Sequence, residues 1–462
     1  MDICITPPTT LSGKIRSIPS KSDLHRSLIC ASLSDTESTL FLEIDQEGNT
    51  DIDPHDLISD DINATINCLV TLGAEISVES SAGGVSVSVK PISFNKYDGS
   101  GSETSDCSSE IMLDCGESGS TLRFILPVAA ALGRNFSITG HGRLADRPIV
   151  ELLTEIKSHG CTVDGDKLPL SITGQLKSGY YRIPGDISSQ YISGLLLALP
   201  LLKGDSHIKV TGNVESASYI QMTMRSLRKY GVEVTWGNRT FSVKGHQIFV
   251  AETDVAGIEN IENDWSNAAF WLSAGALSNA GITVCGLDTN SVQPDESIID
   301  ILRKIGAEIN LHNNSEFAEG TIRDIYIKKN VLKNIEFDAS RTPDLVPVLS
   351  VILSVCPGHS KIYNAGRLRL KESDRLKAIA DNLRSIGANI KETKDELEII
   401  GVETLIGGTV NGMNDHRIVM SMAVASIVCE NKLVIKGVEA VNKSYKNFFK
   451  DFKKLGGNFD VI

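Results

Sequence analysis

Leu302-Arg303-Lys304-Ile305-Gly306-Ala307-Glu308-Ile309 returns almost letter for letter as Leu383-Arg384-Ser385-Ile386-Gly387-Ala388-Asn389-Ile390. Each copy reads as the end of an amphipathic helix, a glycine and a β-prone run. A glycine just past a helix supplies the left-handed cap, and basic residues in the last turn suit the negative end of the helix dipole. The same unit recurs around Gly73, Gly160, Gly231 and Gly456. The intervals between the six glycines are 87, 71, 75, 81 and 69 residues, averaging about 77, one sixth of the 462-residue chain. Six copies of one supersecondary unit are expected.

A second kind of segment alternates with the first. Residues 22–33, 119–132, 188–202, 265–277, 343–356 and 415–428 are apolar nearly all round, which marks buried helices. Short Val/Ile/Thr-rich runs join the two helix types, so the class is α/β. A break near residue 262 divides the six units into two groups of three. Two polar stretches, 43–59 and 93–110, read as solvated insertions.

Composition narrows the function. Hydrophobic residues make up 41% and charged residues 22% of the chain, an ordinary globular balance. A formal charge of -13 argues against a general nucleic-acid binder and requires that any anion be met by cations gathered locally. No run of 18 apolar residues suggests a membrane span, and the first residues lack signal- or transit-peptide character. The nine cysteines include no Cys-x-x-Cys pair, and no His/Cys spacing suggests a metal, so reduced structural thiols in a cytoplasm are expected.

The first turns of the apolar helices are unexpectedly charged. Lys21, Arg26, Arg123, Arg341 and Arg417 stand there, where a cation opposes the positive end of the helix dipole. Such placement becomes sensible when an anion sits between guanidinium and free amides. Ser188 and Asp415 read as plain N-caps. Lys371-Glu372-Ser373-Asp374-Arg375 is a solvated helix start with Ser373 as a capping residue, or a proton-transfer pair in Lys371 and Glu372. Arg147-Pro148 reads as a helix start with Pro148 at the first helical position. Cys115 reads as structural, since no base lies beside it in the sequence.

SKSDLHR (20–26), ESGSTLR (117–123), DRP (146–148), SSQ (188–190), SASY (216–219), PD (343–344), KESDR (371–375) and NDHR (414–417), in that order, resemble the 5-enolpyruvylshikimate-3-phosphate synthase family along essentially the whole chain. The resemblance implies an inside-out α/β barrel fold of two domains, each of three βαβαββ repeats. One domain is discontinuous, 1–19 plus 263–462, and the other is 20–262, with the active site in the interdomain cleft. It implies a monomer with no metal and no cofactor, whose partners are shikimate 3-phosphate and phosphoenolpyruvate. Lys21, Ser22, Arg26, Ser188, Ser189, Gln190, Ser216, Tyr219, Asp344 and Lys371 would contact shikimate 3-phosphate. Lys21, Gly119, Arg123, Arg147, Gln190, Arg375, Arg417 and Lys443 would hold phosphoenolpyruvate. Asp344, Glu372 and Lys21 would be catalytic, Asp344 as the base for the 5-hydroxyl and Glu372 as the group that protonates and deprotonates C3.

Several residues depart from the family pattern: Glu117 stands where Asn is usual, and Arg367 and Leu368 where Asn and Trp are frequent. Gly119 keeps the small residue that implies glyphosate sensitivity. The UDP-N-acetylglucosamine enolpyruvyl transferases share fold and donor, but the loop Gly142-Arg143-Leu144-Ala145-Asp146 lacks their cysteine. A non-catalytic binder of phosphorylated metabolites is the reading of another class; it gains nothing from the carboxylates Asp344 and Glu372.

Overall fold

The apolar helices drive two separate cores. The computed structural model describes residues 1–7, 9–44, 53–93, 111–251, 257–313 and 321–462. They form two compact units, Met1–Ser20 with Glu262–Ile462, and Lys21–Ile261. Residues 45–52 of the first insertion and 94–110 of the second lie outside the described residues, as does Cys107.

Helices alternate in pairs. The Lys21–Ile261 unit holds α1 (Lys21–Leu33) and α2 (Asp60–Thr71), α3 (Gly119–Ala131) and α4 (Val150–Ser158), α5 (Ser189–Ala198) and α6 (Ala217–Lys229). The other unit holds α7 (Trp265–Leu277) and α8 (Ile298–Ile305), α9 (Val346–Leu353) and α10 (Arg375–Ser385), α11 (His416–Ala425) and α12 (Phe448–Lys454). Odd-numbered helices are buried on nearly every side, and even-numbered ones bury one face. All six glycines that follow the even-numbered helices have positive φ, between 70° and 109°, the conformation that a left-handed cap requires.

Each helix pair is built into a four-stranded sheet. In the third repeat Tyr180–Pro184 runs parallel to Ser206–Thr211, which pairs antiparallel with Thr240–Val243, and that strand with Val234–Gly237. A strand, a buried helix and a parallel strand, then a half-exposed helix and a hairpin, give βαβαββ. The spatial order of the four strands repeats in all six sheets among the described residues, and in three of them one strand is supplied from elsewhere in the chain. Three strands come from afar: Ile258–Asn260 lies beside Ser38–Glu43, Gly13–Arg16 beside Ile282–Asp288, and Asp2–Ile5 between Leu433–Lys436 and Phe459–Val461.

The odd-numbered helices depart from the expected ranges at their ends. The 343–356 helix opens as a 3-10 turn, Pro343–Leu345, and α9 proper begins at Val346, with Pro347, which has no N–H to donate, in its first turn. The 188–202 and 415–428 helices end in 3-10 turns, Leu199–Leu201 and Ser426–Val428. Pro148 does not open α4; the chain there stays extended at Arg147 and the helix begins at Val150.

Helix packing positions the first turns. Gly194 of α5 lies so close to α3 that a Cβ would overlap the Arg123 carbonyl oxygen and come within 3.0 Å of the Pro127 ring. Gly194→Ala is therefore expected to destabilise the Lys21–Ile261 unit by about 1–3 kcal/mol, as overpacking does; a urea midpoint unchanged from the parent would refute the close approach.

Candidate functional site

In the Lys21–Ile261 unit the first turns of α1, α2 and α3 are joined by polar groups. Lys21 Nζ pairs with Asp61 Oδ2 at 2.7 Å. Thr121 Oγ1 donates to the Asp61 carbonyl at 3.2 Å, and its hydroxyl lies 2.7 Å from Thr65 Oγ1, which meets His25 Nδ1 at 2.8 Å. Burial, with Lys21 and Arg26 nearby, pushes the His25 pKa well down, so the ring is neutral at physiological pH. Cations here therefore come from Lys and Arg.

Arg26 reaches α6: Nε donates to Thr223 Oγ1 at 2.8 Å and NH2 to the Tyr219 carbonyl at 3.0 Å, with the guanidinium 5.1 Å from the Phe124 ring centre. NH1 donates to the Ser22 carbonyl. Burial lowers the Arg26 pKa to about 10, still charged at neutral pH. Ser216 precedes α6 in a left-handed conformation, φ 51°, unusual for a residue with a Cβ and a pointer to function.

Between α3 and α5, Gln190 Nε2 donates to Ser120 Oγ at 2.8 Å and Gln190 Oε1 accepts from Arg123 NH1 at 3.3 Å. Arg123 also donates to the Gly119 carbonyl at 3.1 Å and the Pro148 carbonyl at 2.9 Å. At Gly119 a Cβ would overlap Arg147 NH1 and lie 2.6 Å from Arg123 NH1, so a side chain there would have to push these guanidinium ends aside. Arg123, Arg147 and Gln190 thus surround one glycine at a helix N-terminus capped by Ser118. Ser188 caps α5 through Gln190 N, and Ser189 is buried beside it. The Glu117 carboxylate is packed against Gly142 in the Gly142–Asp146 turn.

The other unit collects charge around Asp344, at the start of α9. Arg375 NH1 and Lys371 Nζ lie 2.8 and 3.2 Å from its Oδ1, and Arg417 NH2 lies 3.4 Å from Oδ2. Burial works against ionisation of this carboxyl, but Arg417, Lys371 and Arg375 outweigh it and hold the pKa well below the usual carboxylate range. Lys371 is shifted down by burial, against the pull of Asp344. Arg375 is fully buried; burial opposes its charge, but Asp415, Glu372 and Asp344 raise its pKa. Its Nε bonds Asp415 Oδ2 at 2.7 Å and its NH2 bonds Glu372 Oε2 at 2.6 Å. Asp415 also accepts from Ser373 Oγ at 2.9 Å and caps α11 through Arg417 N at 3.0 Å. Lys443 Nζ donates to the Asn414 carbonyl at 2.7 Å, which Asn414 presents from a left-handed turn, φ 53°.

Most of the expected residues are thus drawn together within their own unit: Lys21, Ser22, Arg26, Gly119, Arg123, Arg147, Ser188, Ser189, Gln190, Ser216 and Tyr219 in one, and Asp344, Lys371, Glu372, Arg375, Arg417 and Lys443 in the other. Two readings need correction. Arg341 is exposed and is not held among the other cations. Ser373 does not cap α10; Asp374 does, accepting from Lys377 N at 3.0 Å, because Ser373 is drawn to Asp415. Burial pushes the Cys115 thiol well up, in keeping with a structural role. Sequence reasoning missed the acidic partners Asp61 and Asp295 and saw Asp415 only as a cap; each lies in or beside a helix's first turn, where an acid reads as ordinary dipole compensation.

Comparison with known proteins follows the same line. A family model described as EPSP synthase (3-phosphoshikimate 1-carboxyvinyltransferase) matches residues 5–452. A 3-phosphoshikimate 1-carboxyvinyltransferase of Clostridium kluyveri is 44% identical over 456 residues, 98% of this chain and 97% of its own length. One of Clostridium acetobutylicum is 40% identical over 456 residues, 98% and 96%. Among solved structures, an EPSP synthase of Acinetobacter baumannii superposes with TM-score 0.76 at 24% identity, covering 99% of each chain. The enolpyruvyl transferase NikO of Streptomyces tendae gives 0.72 at 14%, covering 99% of this chain and 98% of its own. At those identities the structures speak for the fold.

Removing one partner of a buried ion pair leaves an uncompensated charge. Asp415→Ala should lower stability by about 3–5 kcal/mol in chemical denaturation at pH 7; a loss near 0.5 kcal/mol or less would show that the Arg375 cluster does not depend on it.

Proposed function

Because the chain belongs to the EPSP synthase (3-phosphoshikimate 1-carboxyvinyltransferase) family, we propose that the two charged clusters divide the enolpyruvyl transfer between them. The reaction joins shikimate 3-phosphate to phosphoenolpyruvate. The 5-hydroxyl oxygen bonds to C2 of phosphoenolpyruvate while C3 takes a proton and the hydroxyl proton passes to a base. The tetrahedral product then loses phosphate from C2 and the added proton from C3, restoring the double bond.

In this reading Lys21, Ser22, Arg26, Ser188, Ser189, Gln190, Ser216 and Tyr219 bind shikimate 3-phosphate, with Asp344 and Lys371 completing the set. Arg123, Arg147, Gln190, Arg375, Arg417, Lys443 and Lys21, with Gly119 leaving space, hold phosphoenolpyruvate. Asp344 receives the hydroxyl proton, and Glu372 gives a proton to C3 and takes it back. Two polyanions repel each other, so clustered guanidinium and ammonium groups lower the cost of bringing them together, and fixed geometry supplies much of the rate. The observation that carries the reading is Asp344, a carboxylate kept ionised by Arg417, Lys371 and Arg375 at a helix start. A base must be unprotonated before the reaction, and this one gains affinity for a proton when an anionic substrate draws those cations from it; a site built only to bind anions gains nothing from such a carboxylate. The reading requires neither metal nor organic cofactor and places a monomer in the cytoplasm.

Phosphate release should follow from phosphoenolpyruvate with shikimate 3-phosphate and not with UDP-N-acetylglucosamine. Asp344→Ala should abolish that release while leaving shikimate 3-phosphate binding largely intact; equal loss of both would unseat its role as base. Gly119→Ala should displace the Arg123 and Arg147 guanidiniums, raising the KM for phosphoenolpyruvate by about tenfold or more, the effect of one lost charge-assisted hydrogen bond. The same change should weaken inhibition by glyphosate, and a parent enzyme indifferent to glyphosate at low phosphoenolpyruvate would contradict the proposed sensitivity.

A further inference from the structure

Asp295 is a buried carboxyl that the reaction above does not use. It lies in the 3-10 turn Pro294–Ser297 that leads into α8 and is 1% exposed. Its Oδ2 accepts a hydrogen bond from Ser266 Oγ, in the first turn of α7, while its Oδ1 is buried with no hydrogen-bond partner. Ser266 Oγ in turn accepts from Arg417 NH2 at 3.0 Å, shorter than the 3.3 and 3.4 Å contacts of Arg417 with the Asp344 carbonyl and carboxylate.

We propose that Asp295 is a positioning residue for the donor-binding Arg417, acting through the Ser266 hydroxyl. A serine hydroxyl has one proton and two lone pairs. On a helix it would otherwise turn that proton to a nearby backbone carbonyl or to solvent. With the proton committed to Asp295, a lone pair faces Arg417, whose NH2 meets both Ser266 Oγ and the Asp344 carboxylate. α7, α9 and α11 thereby fix one cation from three helix starts. The inference rests on the assignment of Arg417 to phosphoenolpyruvate.

The setting of Asp295 fits a functional group better than a structural one. Burial and the charges of Asp344 and Asp264 push its pKa up to about 6, although Arg417 and Ser266 pull the other way. A folded pKa above the unfolded value of about 3.9 favours folding below the unfolded value. That contribution is lost as pH rises through the folded pKa. At neutral pH the ionised carboxylate therefore works against the fold, where a purely structural residue would support it.

The test uses the full-length protein and steady-state phosphate release with each substrate varied in turn. Asp295→Ala and Ser266→Ala should each lower kcat/KM for phosphoenolpyruvate by about tenfold, while the KM for shikimate 3-phosphate stays within about twofold. The double variant should be no worse than the poorer single variant, since both changes break one relay. Asp295→Asn keeps an oxygen acceptor for Ser266. It should retain most of the activity and melt at or above the parent temperature at pH 7. Losses that multiply in the double variant would overturn the proposal, as would equal effects on both substrates or an Asp295→Asn enzyme that loses activity and stability together. Should Asp295→Ala fail to fold, Ser266→Ala decides alone: no selective loss for phosphoenolpyruvate refutes the relay. A parent enzyme that releases no phosphate would instead refute the enolpyruvyl-transfer reading.

Discussion

A helix buried on all sides can carry charge only where its ends reach water or a ligand, and that constraint organises both units. α7 and α9 present apolar or small side chains at almost every position, so desolvating a charge along their length would cost several kcal/mol. Their first turns are different. Free backbone amides and the positive end of the dipole collect there, and the βαβ crossover places each turn at the end of a parallel strand. The polar chemistry of the chain is thereby forced to the starts of the odd-numbered helices. Six sheets supply six such places without any further device.

Within those places the sign of the charge is set by pairing. Cations at a helix N-terminus are disfavoured by the dipole, and the protein offsets this with carboxylates: Asp61 for Lys21, and Asp344, Glu372 and Asp415 for Arg375. The two solutions differ in kind. Lys21 pairs with Asp61 of α2 and stays partly exposed. Arg375 is enclosed by three acids and fully buried, so it holds Asp344 and Glu372 in place as much as it presents charge. A chain with net charge -13 can bind two phosphorylated molecules because its cations are gathered and its acids are spent as their counterions.

The repeat was legible because two local rules write it into the sequence: a glycine must follow each half-exposed helix, and a fully buried helix must be apolar all round. The strand exchange was not legible. Ile258–Asn260 completing the sheet of Ser38–Glu43 depends on pairing across more than two hundred residues, and a three-residue strand carries no periodicity of its own. The site was half legible for a related reason. Lys21, Arg26, Arg123 and Arg417 stood out because they violate the dipole rule, but Arg341 violates it equally and is exposed. The sequence shows that a cation is misplaced, not whether the fold turns it inward. Acids obey the rule, so Asp61 and Asp295 passed as ordinary first-turn residues, although each is a partner of the cation chemistry.

Asp344 and Asp295 show how finely that chemistry is divided. Both feel Arg417, and the charge of Asp344 helps to raise the pKa of Asp295. They part because Asp344 touches three cationic side chains directly, whereas Asp295 reaches Arg417 only through a neutral hydroxyl. A direct ion pair stabilises the charged carboxylate strongly; an interposed serine passes on orientation but little charge compensation. One arginine thus keeps its neighbour ionised while meeting a second acid through a hydroxyl. Interposing Ser266 separates the task of aiming the guanidinium from the task of neutralising it.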